Sequence, residues 1–334
     1  MKKNSVKKVL KYKPPIFISL ITIVLFFFLF LYISINHKSY AIETKIDFPD
    51  TISLNTLPSA KSETLMVYKS YSDEYQNFSL NNNGNYANEY IKDKKIEDSG
   101  LIYLLSNNYP NKSLLDENGN SIDEAFQTWI TQTSIWLYLY EQELLSNGTV
   151  SDNSPNYLDN NTINQIKSSK KLIYNDKEFK VEDTIYNKYI KQTIDNALMI
   201  RNSKQEIDLN YFKEDKIYST KNNKYYQTSA IKIITNSSEK FKNYKINLDK
   251  APKGTKLVDA DGKVINKDTL LSATDEFYIR VLKKYNLKNI NINIKVIGVF
   301  DDYEGYEYKQ EGYKNIVVSH KIDKEITKNF EIKF

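Results

Sequence analysis

The chain has 334 residues with 40% hydrophobic and 13% aromatic content, which suits packed cores and excludes a disordered tail. It holds no cysteine and two histidines, His37 and His320, so disulfides, thiolate metal sites, thiol nucleophiles, multi-histidine zinc sites and Ser-His-Asp triads are excluded. The formal charge of +5 comes from the N-terminus: seven of the 47 basic residues and no acid precede residue 42, which leaves 40 basic residues against 42 acids, a net −2, and no basic excess for a nucleic-acid partner.

In chain order, Lys2, Lys3, Lys7, Lys8, Lys11 and Lys13 precede an uncharged apolar run from Ile16 to Ile35. At ~1.5 Å per residue such a run spans the ~30 Å hydrocarbon layer. It predicts a transmembrane helix that meets the cell membrane through residues 16–35, with the lysines in the cytosol and the rest of the chain outside. Ser39-Tyr40-Ala41 has the small-x-small form of a signal-peptidase site. The run is therefore either a retained anchor, which its length favours, or a leader cleaved after Ala41 to give a secreted protein. Residues 42–62, with Pro49 and Pro58, read as a stalk.

Short alternations such as Leu65, Val67 and Tyr68 predict strands up to Leu80. A helix is predicted over 97–107, stopped by Tyr109-Pro110, and a loop over 111–120. From Asp123 to Leu145, Phe126, Trp129, Ile130, Thr133, Trp136, Leu137, Tyr140 and Leu144 recur at helical spacing, with acids in the first turn and Asn147-Gly148 as a stop. A loop over 151–161 and a helix over 182–201 with a stripe of Tyr186, Ile190, Ile194, Ala197 and Leu198 follow. Beyond Tyr211 the period changes to two: 230–234, 244–248, 277–281 and 290–296 alternate or run apolar, separated by turn signals such as Ala260-Asp261-Gly262. This predicts an antiparallel, Ig-like β-sandwich over 211–334. The fold class expected is α+β: a transmembrane helix, a mixed strand and helix domain over 63–210, then the sandwich.

Thr131-Gln132-Thr133-Ser134-Ile135-Trp136 resembles the TQxxIW motif of thioester domains in Gram-positive surface adhesins. Three further segments are similar to the family in order: the helix and Tyr-Pro stop at Ile102–Pro110, the entry to a β-domain at Tyr225–Ser229, and the later strands and turns at Ala251–Thr255, Asp259–Gly262 and Tyr303–Tyr308. The resemblance covers roughly residues 65–330. It implies that Gln132 matches the glutamine whose side-chain carbonyl a cysteine thiolate attacks, with loss of ammonia, and that Trp136 packs beside it and excludes water. The sequence departs from the family at the decisive atom, because it has no sulfur nucleophile. Phe78-Ser79-Leu80 best fits the frame that surrounds the family's cysteine, which puts Ser79 in its place; Tyr68-Lys69 is a second candidate, in which a lysine opposite Gln132 could form an amide cross-link. A serine hydroxyl is weakly nucleophilic without a neighbouring base.

The resemblance thus implies a thioester-type fold without the thioester: an extracellular, non-enzymatic binding or adhesion module that holds a host or cell-surface protein reversibly. A structural stalk or scaffold is the alternative, and a secreted hydrolase using carboxylates ranks third. Gln132 also reads as a helical glutamine satisfying nearby backbone, and Trp129 and Trp136 as core residues. Asp116–Asn120 begins like a calcium loop but has Ser121 at position six and Gln127 at position twelve, so it reads as a turn, as do Asp259–Gly262 and the carboxylates Asp301, Asp302 and Glu304. No metal and no cofactor is expected.

Overall fold

The computed structural model describes residues 48–334 apart from 64, 73–74, 204–205 and 288–289. The apolar run Ile16–Ile35 and Ser39-Tyr40-Ala41 lie outside the described residues. Among the described residues no helix is long and apolar enough to cross a membrane.

The segment expected as a stalk enters the fold instead. Phe48, Ile52, Leu54 and Ala60 are buried, and their apolar contacts hold residues 51–61 in the sheet as β1 (Thr51–Ser53) and β2 (Asn55–Lys61). β3 (Met66–Tyr71), β4 (Gln76–Ser79) and β5 (Glu89–Lys95) follow. The chain then turns helical. α1 (Ser99–Asn107) is capped by the Asp98 carboxylate, which accepts the Leu101 N–H, and α2 (Glu124–Asn147) by Asp123, which accepts from Ala125 N. Gly148, in the left-handed conformation at φ 75°, closes α2 by donating to Leu144 O.

Sequence reading missed three pieces here. α3 (Asn160–Ser168), capped by Asp159, begins at the end of the loop expected over 151–161 and fills a stretch for which the sequence predicts no element. A hairpin of β6 (Lys171–Tyr174) and β7 (Lys177–Lys180) turns on Asn175-Asp176, both at positive φ. The helix predicted over 182–201 is a π-turn, Tyr186–Ile190, running into α4 (Lys191–Asn202); the wider turn re-phases the stripe, so Ile185 is buried while Tyr186 is only half-buried.

The remainder is antiparallel β: β8 (Leu209–Lys213), β9 (Ile217–Ser219), β10 (Tyr225–Thr228), β11 (Ile231–Thr235), β12 (Phe241–Lys250), β13 (Lys256–Val258), β14 (Leu271–Ser272), β15 (Glu276–Leu282), β16 (Asn291–Lys309) and β17 (Ile316–Lys333). One sheet runs β1-β5-β16-β17-β4-β3-β2-β6-β7, with β12 added to β16 and β14 to β12; the second runs β8-β11-β15-β10-β9, with β13 on β15.

The β16–β17 hairpin is the spine. Its open end, through Ile292, Ile294, Val296 and Phe300, faces Ile231, Ile233, Phe277 and Ile279 of the second sheet across a mostly apolar core. Its tip carries Tyr308, Ile316 and Val318 into a core with Phe48 and Tyr90, while Val317, on the opposite face, joins the core under the helices. Alternate residues of one strand thus serve two cores, as the two-residue period of a strand requires.

α2 is buried on all sides from Ala125 to Tyr138, not along one stripe. β2 and β3 cover one flank, α1 and α4 the other. That is why six polar residues of this run, including Gln127, Thr131 and Gln132, are interior.

Candidate functional site

Gln132 and Ser79 meet. β3 pairs only with Gln76 and Asn77 of β4, through Tyr71 and Ser70, and β17 takes the other edge, with Ile316 opposite Ser79. The Ser79 backbone therefore lacks a strand partner on its helix side, although Ser79 is completely buried. A buried N–H and C=O must be paired. α2 supplies the pairing: Ser79 N–H donates to Gln132 Oε1 at 2.9 Å, and Gln132 Nε2 donates to Ser79 O at 2.7 Å. The carboxamide acts as a one-residue extension of the sheet.

Around this pair several interior polar atoms find no hydrogen-bond partner of good geometry among the described residues: Thr131 Oγ1, Trp136 Nε1 and Asn77 Oδ1. Each costs about 1–3 kcal/mol when left unmade. Beside Ser79 lies the Tyr86 hydroxyl, whose burial pushes its pKa up to about 12, with the Ser79 and Ser70 hydroxyls acting the other way.

The outer wall is Lys314, only 7% exposed. Its amine stands over the Trp136 ring at 5.7 Å and the Tyr86 ring at 5.2 Å and donates to Asn82 O at 2.9 Å. Burial pulls the amine down to about 8. Leu80 N to Asn315 O and Lys314 N to Asn85 O tie this segment to the loop after β4. Nothing in the sequence marked Lys314: a lysine two residues after a Gly turn reads as solvent-facing, and its burial follows from the tip of the long hairpin folding onto α2.

Lys69, the second candidate for the cysteine position, is elsewhere. Its amine pairs with Glu124 and sits 5.4 Å from the Tyr71 ring. His320 packs edge-on to Tyr75 at 5.9 Å. Trp129 is a core residue whose indole donates to Leu65 O. Asp116, at the head of the calcium-like segment, accepts the N–H groups of Asn118 and Asn120 and forms a turn. Among the described residues no group of three or more His, Asp or Glu side chains is placed to share a metal ion.

A cleft of about 380 Å³ opens beside Leu80, with Ile96, Leu101 and Leu139 as apolar walls and Glu307 at its polar side. Two of its carboxylates, Glu307 and Asp98, are engaged. Glu307, 8% exposed, faces Lys94 at 3.3 Å, Lys309 at 3.7 Å and the Asn315 amide at 3.0 Å. Asp98 caps α1 and accepts the Tyr138 hydroxyl at 2.5 Å.

Chemically the pair has an electrophile and an oxygen, and little to make them react. The acyl carbon of Gln132 is held against residue 79, but its carbonyl oxygen and its amide nitrogen are both committed to backbone. Ser79 Oγ has no base in hydrogen-bond contact to take its proton.

No protein-family model and no curated protein matches the chain. Solved structures do. The Bacillus anthracis TIE protein is similar over 84% of this chain at 15% identity with a TM-score of 0.52, and this chain spans 48% of that protein's length, about half. The thioester domain of the Enterococcus faecium TIE86 protein is similar over 86% of this chain and 97% of its own, at 13% identity and a TM-score of 0.50. The protein has a thioester-domain-like fold. It carries that fold in a form without cysteine.

Proposed function

We propose that the protein is a cell-surface binding or adhesion module whose attachment is non-covalent. The observation that carries this reading is the double hydrogen bond of Gln132 to the Ser79 backbone. The helix and strand stand together as a thioester would require, yet the position that would hold sulfur is a serine without a base. The cleft beside Leu80 supports binding over a purely structural stalk, since it offers apolar walls and a fixed polar group at one edge of the same site. The run Ile16–Ile35 would anchor the chain, or lead its export, with residues beyond Ala41 outside the cell; no separate sandwich over 211–334 supports it, because β16 and β17 belong to the same sheet as β4 and β5.

Intact-mass spectrometry of the full chain tests the chemistry. The expected mass is that of the unmodified sequence, and partners come off on boiling in detergent. A deficit of about 17 Da, one ammonia, would show an internal ester or amide and overturn the reading. Protease digestion of intact cells, with residues beyond Ala41 degraded, checks the orientation.

A further inference from the structure

The outer face of the second sheet carries a groove that the Ser79–Gln132 site does not use. β8 and β9 form one edge, β10 and β11 the next strand path, and β15 the third. Inward positions, Ile231, Ile233, Phe277 and Ile279, fill the core. Outward positions therefore line up across the strands. Phe212 stands opposite Lys232, which stands opposite Glu276; Tyr218 stands opposite Gln227, which stands opposite Arg280. Four residues separate these two rows along β15, roughly 13 Å at strand rise. Tyr278 lies between them on the same face.

Both strand paths bulge between the rows. Ser229 N donates to Lys216 O and Ser229 Oγ to Glu214 O, which sinks the floor into a depression of about 500 Å³ lined by Phe212, Tyr218 and Tyr278. A second depression of about 550 Å³ shares Tyr218 and Gln227 with the first and continues past Tyr225 and Arg280. Phe212 and Tyr218 are 57% and 49% exposed.

We propose that this groove binds a neutral oligosaccharide. Solvent-facing rings offer flat apolar faces to the C–H face of a sugar, and fixed polar groups between them meet its hydroxyls. The polar groups are held in place: Arg280 Nε donates to Gln227 Oε1 at 2.6 Å, which leaves the Gln227 amide N–H groups to donate, and Lys232 pairs with Glu276 at 2.7 Å. The charges along the groove cancel, with Glu214, Glu276 and Asp261 against Lys221, Lys232 and Arg280, so it favours no ionic ligand. A peptide strand would use the main chain of a sheet edge, whereas this face presents side chains alone.

The test is the purified full chain on a glycan microarray carrying neutral and anionic oligosaccharides, followed by titration of whatever is retained. Retention on a neutral oligosaccharide is expected, weakened at least about tenfold by Tyr218→Ala, with the thermal unfolding of the variant unchanged. Phe212→Ala is a second probe should the first variant unfold. Retention of no neutral glycan, retention of anionic glycans only, or binding that survives both substitutions would overturn the assignment. The intact mass of the chain is read separately, so failure here leaves the non-covalent reading at Gln132 standing.

Discussion

The two ends of the molecule are stabilised by different means. The core between the two sheets is built of Ile, Leu, Val, Phe and Tyr, with strand pairing satisfying the backbone. The core under the helices also buries Ser59, Ser70, Asn77, Ser79, Asn108, Gln127, Thr131 and Gln132. An apolar core needs only shape and area. A core with polar groups must also pair each of them, and here several remain unpaired. Polar burial is concentrated along the helix–strand seam, whereas the second sheet buries only Thr228 and Ser229 among its described polar residues, and this contrast marks the seam as the part of the fold shaped by more than stability.

The largest expected effect is a change of bonding. Ser79→Cys puts a thiol where the Ser79 hydroxyl lies, beside the Gln132 carboxamide. If the seam has the geometry a thioester needs, mass spectrometry finds the variant about 17 Da lighter than its sequence, and methylamine adds about 31 Da to that species, freeing the thiol and leaving the chain about 14 Da above its sequence mass. An unchanged mass would mean that the committed hydrogen bonds of Gln132, and not the missing sulfur alone, keep the site inert. Next come two deletions that set the cores against each other. Phe277→Ala empties a fully buried site of the apolar core and should cost about 4 kcal/mol in urea unfolding. Gln132→Ala leaves the buried N–H and C=O of Ser79 unpaired and should cost about 2–3 kcal/mol. Equal losses for Gln132→Ala and Gln132→Leu would point to the hydrogen bonds; a loss recovered by Leu would point to volume.

Much of this contrast was legible beforehand. The spacing of Phe126, Trp129, Ile130 and Leu137 located α2, the change of period after Tyr211 located the β region, and the Phe78-Ser79-Leu80 frame put Ser79 opposite Gln132. What stayed hidden depends on contacts distant in sequence. Phe48, Ile52 and Leu54 look like tether residues until Tyr90 and Tyr308 are seen to cover them. The all-round burial of α2 has no periodic signature, because polar runs such as Thr131-Gln132-Thr133-Ser134 interrupt the apolar stripe and are enclosed only by distant elements such as α1 and α4. The groove on the second sheet was equally unreadable: Phe212 and Tyr218 come together only through strand register.

Lys314 sharpens the comparison further, because its burial next to Trp136 places a charge in the polar seam without a counter-ion in the core. Its amine is held down at about 8 by burial, against an unfolded value of about 10.4. Below pH 8 both states hold the proton, and the folded state bears the full cost of the buried charge. Between pH 8 and the unfolded value the folded chain releases a proton that the unfolded chain keeps, so this group makes stability rise with pH. Tyrosines limit the window from above. Tyr86 and Tyr308, both pushed up to about 12 by burial, keep their protons after unfolded tyrosines lose them near pH 10, so stability falls there. The expected profile is a rise from pH 8 to about 10 and a fall beyond it. Lys314→Met keeps the stem against Trp136 and removes the charge. It should raise stability at pH 7 by about 2 kcal/mol and flatten the rise between pH 8 and 10, both read from urea unfolding curves. A rise that persists in Lys314→Met would place the titrating group elsewhere and return Lys314 to the surface.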